Sequence, residues 1–285
     1  MRYTVRAPGS LGDCLGSLLA EASGRTRKQM LAGGRVRVNG ATVRRADLAL
    51  AAGDVVELAP RGPRVMLPPG LVLRHQDDQL IVVDKPAGLL TIATEHERRR
   101  TVYAHLTALA RCRKPPARVF VVHRLDRLAS GLLVFATSLD AKRMLQAQFA
   151  AHGAERTYLA VVEGRVARPA GTVVSRLLDQ APGPVRPTRD PRRGRAAVTH
   201  WRLVRATGRY SLLEVRLETG RRNQIRVQLA RLGHPIAGDA AYGSRTDPWR
   251  RLALHAHVLG FDHPATGARM RFVSPAPAGF AKLPA

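Results

Sequence analysis

Apolar and polar positions along the chain fall into two regimes separated by a proline-rich break. In the first, Leu11, Leu15, Leu18 and Leu19 recur at i, i+4, i+7 and i+8, which is one face of a helix. A second short helix is predicted over 26–32, stopped by Gly33 and Gly34. Arg35-Val36-Arg37-Val38 then alternates polar and apolar, and Asn39-Gly40 offers a two-residue hairpin turn that tolerates positive φ. Gly53-Asp54 precedes a further short strand over 55–58. Residues 1–59 therefore read as helix, helix, hairpin. Residues 60–70 hold Pro60, Pro63, Pro68 and Pro69 with Gly62 and Gly70 and show no apolar period, so they read as a linker.

Residues 71–285 read as a second, larger domain. Strand-like runs are predicted at 71–74, 80–83, 119–122, 132–135, 158–162, 201–204 and 212–217, and helical periods at 102–109, 141–150 and 224–232. Strands and helices do not alternate one for one. An α+β fold with a mixed, largely antiparallel sheet is therefore expected, rather than a doubly wound one. Two loops, 111–118 and 182–195, are basic and proline-rich; the second carries Arg186, Arg189, Arg192, Arg193 and Arg195.

Composition narrows the class. With 285 residues and 45% hydrophobic content the chain can bury a sizeable core, so wholesale disorder is not expected. Cys14 and Cys112 are the only cysteines, which argues against a disulfide scaffold and fits a reducing, cytoplasmic compartment. The first residues lack the apolar core of a signal peptide, and no uncharged apolar run is long enough to span a membrane. Charge adds the first functional clue: 47 Lys+Arg against 21 Asp+Glu leave a net +26. A GC-rich genome explains arginine in place of lysine, but not base in excess of acid. Such an excess repels itself in the folded chain and points to a polyanionic partner, nucleic acid before a membrane surface.

The stretch richest in chemistry is His123-Arg124-Leu125-Asp126-Arg127-Leu128-Ala129-Ser130-Gly131, followed by the apolar run Leu132 to Ala136. Asp126 lies at a strand end, where a rigid scaffold can present it to a cleft. An isolated Asp in such a turn is ordinarily the ion-pair partner of a neighbour, here Arg124 or Arg127. A kinase catalytic loop is excluded, because the order is His-Arg-Leu-Asp, the downstream Asn is missing and no Asp-Phe-Gly follows.

This stretch resembles the signature of the RluA branch of pseudouridine synthases, with Ala129 where the family usually has Thr. The resemblance continues at Val83-Asp84-Lys85-Pro86-Ala87-Gly88-Leu89-Leu90, at Arg156 to Gly164 around Tyr158, and at Gly194 to Thr199. It then takes in Glu218 to Arg226, with Asn223 in place of the common His, and Gly233 to Asp239 with Tyr242-Gly243. It covers roughly residues 71–275.

What the resemblance implies is isomerisation of uridine to pseudouridine: the uracil–ribose bond breaks, the base turns, and it rejoins through carbon 5. No atoms or electrons are exchanged, so no metal or organic cofactor is expected. Asp126 would act at the sugar, as nucleophile or base. It must be ionised, which in a buried site calls for a neighbouring cation. Arg226 is the candidate for that cation, on a helix whose buried face is expected to be Ile225, Leu229 and Leu232. Tyr158 would stack on the uracil or help remove the carbon-5 proton. Arg124 would fill the gap left by the flipped base or meet phosphate, with Arg127 and Arg221 as further RNA contacts. The basic loop residues Arg192 and Arg193 are added to these.

Residues 1–59 resemble the small αL RNA-binding domain first seen in a ribosomal protein (S-four). Arg25, Arg27 and Lys28 would lie on its basic helix and Arg35 and Arg37 on its hairpin, suited to backbone contact with structured RNA. His255, His257 and His263 invite a metal reading, which the lack of nearby cysteine ligands disfavours. The expectation is a cytoplasmic, monomeric enzyme acting on structured RNA, large-subunit ribosomal RNA first and tRNA as the alternative. A rival from another class is a non-catalytic RNA-binding or ribosome-assembly factor. A third, a carboxylate-based glycoside hydrolase, would need a second acid across the cleft, for which Asp84 and Asp239 are the candidates.

Overall fold

The computed structural model describes residues 1–59, 67–113, 116–180, 183–280 and 282–284. Residues 60–66 of the expected linker, 114–115 of the first basic loop and 182 of the second lie outside the described residues. The chain divides into two compact units, Met1–Val65 and Met66–Ala285.

The first unit runs β1 (Arg2–Thr4), β2 (Gly9–Ser10), α1 (Leu11–Leu18), α2 (Gly24–Ala32), β3 (Val36–Val38), β4 (Ala41–Val43), β5 (Ala49–Leu50) and β6 (Val55–Leu58). Ser10 and Ser23 cap the two helices, accepting from the backbone N–H of Asp13 and Thr26 at 3.1 and 3.2 Å. Asn39 and Gly40 take φ of 49° and 81°, the positive pair that a tight turn between β3 and β4 requires. The Asn39 side chain then ties that turn to β6, accepting from Val55 N at 2.9 Å and donating to Asp54 at 2.8 Å. The four-stranded sheet, in the order β1-β6-β3-β4, packs Val36, Val38 and Val56 with Leu11, Leu15, Met30 and Leu31. Strand β1 escapes the sequence reading because its three residues are mostly exposed and carry no alternation.

The second unit runs β7 (Val72–Gln76), β8 (Leu80–Lys85), α3 (Val102–Arg111), β9 (Phe120–Val121), β10 (Ser130–Ala136), α4 (Leu139–Ala150), β11 (Glu155–Glu163), β12 (Ala170–Leu178), β13 (Arg186–Thr188), β14 (Arg195–Ala206), β15 (Tyr210–Leu217), α5 (Gln224–Arg231), β16 (Leu254–Asp262) and β17 (Arg269–Val273). The strands form one sheet in the order β13-β12-β14-β15-β11-β16-β10-β8-β7, with β17 on β16 and β9 on β10. Among the described strands of this sheet only β10 and β16 pair in parallel. The class is α+β with a large, mostly antiparallel sheet.

Strand β10 shows why the sheet is anchored where it is. All seven of its residues are buried, as a continuous apolar run predicts for a strand covered on both faces. Leu133 and Phe135 share a core with Val102 and Leu106 of α3 and Ile225 and Leu229 of α5. Leu132 and Val134 share another with Ala141 and Leu145 of α4. Each of the larger of these side chains contributes about 1.5–3 kcal/mol by leaving water.

Two expectations are corrected. The second basic loop is interrupted by β13, whose Arg-Pro-Thr sequence carries no apolar alternation and pairs with the edge of β12. Leu232 is not on the buried face of α5: it is the C-cap residue and 45% exposed, while Gln224 and Gln228 are buried instead. Gln228 is accommodated because Thr199 donates to its Oε1 at 2.6 Å and its Nε2 donates to Ser175 Oγ and Ala197 O at 2.9 and 3.0 Å.

Candidate active site

The segment between β9 and β10 carries Asp126, and two buried side chains shape it. Thr91 Oγ1 donates to Leu125 O at 2.9 Å and accepts from Leu125 N at 3.2 Å. Lys85, at the end of β8 and only 1% exposed, donates from Nζ to the carbonyls of Pro86, Leu89, Arg127 and Ala129 at 3.0, 2.7, 3.1 and 2.6 Å. Burial pulls its pKa down to about 7, Asp126 acts against that, and Arg251 adds to it. Four carbonyl dipoles converging on one nitrogen favour the ammonium form. The buried Ala129 has no hydroxyl to offer, and Lys85 and Thr91 hold the loop from outside it, with His123 accepting from Val134 N at 3.1 Å from within.

Asp126, Tyr158 and Arg226 line one cleft of about 500 Å³, together with Arg124 and Arg221. Tyr158 lies mid-strand in β11, between β15 and β16, and is 8% exposed. Burial pushes its phenol up to about 12; Arg156 pulls against that and Asp126 adds to it. Arg226 sits in the first turn of α5. Its Nη1 reaches Asp126 at 3.4 Å, while Nε and Nη2 reach Asp239 at 2.7 and 2.8 Å. Burial alone would lower the guanidinium pKa, but the hydrogen bonds and charge of Asp239, with Asp126, raise it.

Asn223, ahead of α5, takes φ of 53°, a conformation that Asn tolerates better than most residues. Its Oδ1 accepts from Arg226 Nη1 at 3.0 Å and its Nδ2 donates to Tyr242 Oη at 3.0 Å. The Tyr242 ring lies 4.9 Å from the Arg226 guanidinium carbon, a cation–π contact. Asp239, Asn223 and Tyr242 thus form a cradle that fixes the guanidinium. Sequence reasoning placed Asp239 only as a possible second acid and gave Tyr242 and Lys85 no role. Asp239 is 1% exposed behind Arg226, and Asp84 is paired with Arg74 at 2.8 Å; neither lines this cleft.

The other singled-out residues separate by position. Arg127 is exposed, donates to Gly88 O at 3.2 Å and does not line the cleft. Arg192 and Arg193 are exposed in the turn after β13. In the first unit Arg25 and Lys28 on α2 and Arg37 on β3 are exposed, whereas Arg27 and Arg35 donate to Leu19 O and Ala59 O at 3.4 and 3.1 Å. His255, His257 and His263 hydrogen-bond Ser130, Ser274 O and Asp77 at 2.8, 2.6 and 3.2 Å. Among the described residues no three His, Cys, Asp or Glu side chains are grouped to hold a metal, and no helix is long and apolar enough to cross a membrane.

A family model described as RNA pseudouridylate synthase matches residues 79–231. The chain is 36% identical to an uncharacterised RNA pseudouridine synthase of Synechocystis sp., over 97% of this chain and 90% of the relative. It is 32% identical to the ribosomal large subunit pseudouridine synthase D of Pseudomonas aeruginosa, over 94% of this chain and 90% of the relative. Among solved structures, human RNA pseudouridylate synthase domain containing 4 superimposes with a TM-score of 0.62 at 24% identity, over 74% of this chain and 90% of that one, a likeness of fold.

Proposed function

The chain belongs to the RNA pseudouridylate synthase family, and from that premise we propose that it isomerises uridine in structured RNA, large-subunit ribosomal RNA first, with Asp126 as the essential carboxylate. The observation that carries this reading is the single cleft in which Asp126 meets a guanidinium at 3.4 Å beside a buried tyrosine. A cation already in place lets the carboxylate remain charged in a partly dry site. A neutral phenol offers a flat apolar face to a base swung out of its stack, which supports stacking as the role of Tyr158.

In this reading the nucleobase enters between Tyr158 and the Asp126 loop. Asp126 engages the sugar as the uracil–ribose bond breaks, the base turns within the cleft, and it is rejoined through carbon 5. Arg226 holds the carboxylate and is itself held from behind by Asp239. Arg124 and Arg221, at the rim, meet the RNA strand. The first unit acts as a small RNA-binding domain of the αL kind, with the exposed Arg25, Lys28 and Arg37 as its backbone contacts. For the large-subunit substrate, support comes from the synthase D relative.

Tritium release from RNA carrying carbon-5-tritiated uridine tests this, with ribosomal transcripts and tRNA as separate substrates. Release from ribosomal RNA by the wild type, and none by Asp126→Ala, is the expected result. Release from tRNA alone would replace the substrate. Tight, salt-dependent binding with no release from either RNA would turn the reading to a binding factor.

A further inference from the structure

Two cations of the cleft wall, Arg156 and Arg222, have no task in the catalytic reading, and Arg222 is already paired with Asp179 at 2.6 Å. Arg156, two residues before Tyr158 on β11, is 9% exposed and lines the cleft. Its Nη2 donates to the carbonyls of Leu217 and Glu218 at 3.3 and 2.5 Å, and its guanidinium carbon lies 5.4 Å from the centre of the Phe149 ring. Its Nε is buried with no hydrogen-bond partner, and among the described residues no carboxylate lies within 4 Å of it. Burial, the larger influence, lowers its pKa. A guanidinium fixed on one edge, desolvated and lacking a counter-ion is costly to keep unless an anion arrives.

Gly220 makes the same point from the opposite side. Its φ lies outside the left-handed region, so the backbone does not demand glycine there. A Cβ at Gly220 would instead stand 2.9 Å from Arg156 Nη1. The missing side chain leaves the guanidinium room at the cleft wall. The surrounding charge is one-sided: Arg124, Arg156, Arg221, Arg222 and Arg226 line the cleft against Asp126 and Asp179 alone. Asp179 is already engaged by Arg222 at 2.6 Å, and Asp126 by Arg226 at 3.4 Å.

We propose that Arg156 anchors a backbone phosphate of the RNA strand as the target nucleotide enters the cleft, its Nη1, on the side that Gly220 leaves open, supplying the donor that the fold leaves unused. This rests on the RNA reading of the same site. It makes Arg156 a positioning residue: a permanently charged donor suits a phosphate oxygen, and the Nη2 edge held by Leu217 and Glu218 adds little ordering cost on binding.

The test is the salt dependence of RNA binding by wild type and Arg156→Gln, using the large-subunit ribosomal transcript. Each phosphate contact contributes about 0.7–0.9 to the slope of log Kd against log salt. The variant should lose one such contribution and bind about tenfold more weakly at moderate salt, while Arg156→Lys keeps the slope. An unchanged slope in a folded Arg156→Gln protein overturns the proposal. A second arm needs no variant: a decauridine with neutral methylphosphonate linkages at its centre should bind wild type more weakly than native decauridine. Equal affinity for the two would also overturn the proposal. Neither arm requires turnover, so failure of tritium release would sink the catalytic reading without deciding this one.

Discussion

The Arg226 guanidinium lies between two carboxylates and is gripped by one of them. Nε and Nη2 form a two-pronged contact with Asp239 at 2.7 and 2.8 Å, whereas the contact with Asp126 is a single one at 3.4 Å. Asp239 is buried and cannot exchange this partner for water. The geometry divides the labour: one acid holds the cation, and the other is left accessible beside it.

Asp239→Asn should therefore be costly to the fold. Removing one member of a buried ion pair typically destabilises by about 3–5 kcal/mol. The urea midpoint should fall accordingly, and turnover should fall further than KM changes, because the freed guanidinium no longer holds Asp126. A variant with wild-type midpoint and turnover would show that the cradle is dispensable.

Asp126→Asn should show the opposite balance. Its side chain is 21% exposed and makes one long contact with Arg226, so the loss of stability should stay within about 1 kcal/mol. Tritium release should disappear. A large drop in the unfolding midpoint would recast Asp126 as structural.

Tyr158 has a phenol raised to about 12, chiefly by burial. It should be neutral throughout the working range. If tyrosinate were the active form, turnover would climb about tenfold for each pH unit below that value. The expected profile shows no such climb between about pH 7 and pH 10, and a tenfold rise per unit would restore Tyr158 as the base.

His255 is buried and its pKa is lowered to about 4, mainly by burial. The unfolded chain, with an ordinary imidazole near pH 6.5, therefore binds more protons in the window between those values. Stability is full above about pH 6.5 and declines as pH falls through it, by up to about 2 kcal/mol at pH 5 from this group. Denaturant midpoints at pH 7 and pH 5 should differ less in His255→Gln than in wild type. An identical difference in both would show that His255 is not the group responsible.

Lys85→Met would strip the donor from four carbonyls while keeping much of the stem. We expect a loss of about 2–4 kcal/mol together with loss of tritium release, because the oxygens of Arg127 and Ala129 flank Asp126. A stable, active Lys85→Met enzyme would show that Thr91 alone shapes the loop.

The candidate residues were legible because each lies in a short local run, although Asp126 and Arg226 stand 100 residues apart. Asp126, Tyr158 and Arg226 each belong to a run whose pattern resembles the family, and the cleft gathers all three. The parts that escaped depend on distance along the chain. Arg226 meets Asp239 only because the turn after α5 brings the acid back beside the helix, and no spacing announces which of the chain's many arginines an acid will choose. Lys85 reads as one residue of a strand until the 42- and 44-residue separations to Arg127 and Ala129 are closed. Helix α5 misled for another reason: its inner face is glued by Gln224 and Gln228, which a count of apolar positions assigns to solvent. Strand β13 holds one arginine and a proline, β17 holds Arg269 and Arg271 at alternating positions, and each pairs with a single strand, where burial leaves little apolar signature.

Strand β10 meets β16 in parallel at Ser130 and Gly131, and Gly131, at φ of 111°, has no room for a side chain: a Cβ there would lie 2.6 Å or less from the backbone nitrogen and oxygen of Ala256. The letters of the signature from His123 to Gly131 therefore answer to different physical demands. On the proposed reading position 126 is held by chemistry, so a substitute that keeps the shape should still lose the reaction. Position 131 is held by contact between two chains of backbone atoms, and a substitute there fails before any RNA is met. Position 128, whose leucine is 43% exposed, is bound by neither demand, and substitutions there should be tolerated. A library of variants across this stretch should sort into dead but folded, unfolded, and silent, so that the spelling of the motif can be parsed by phenotype alone.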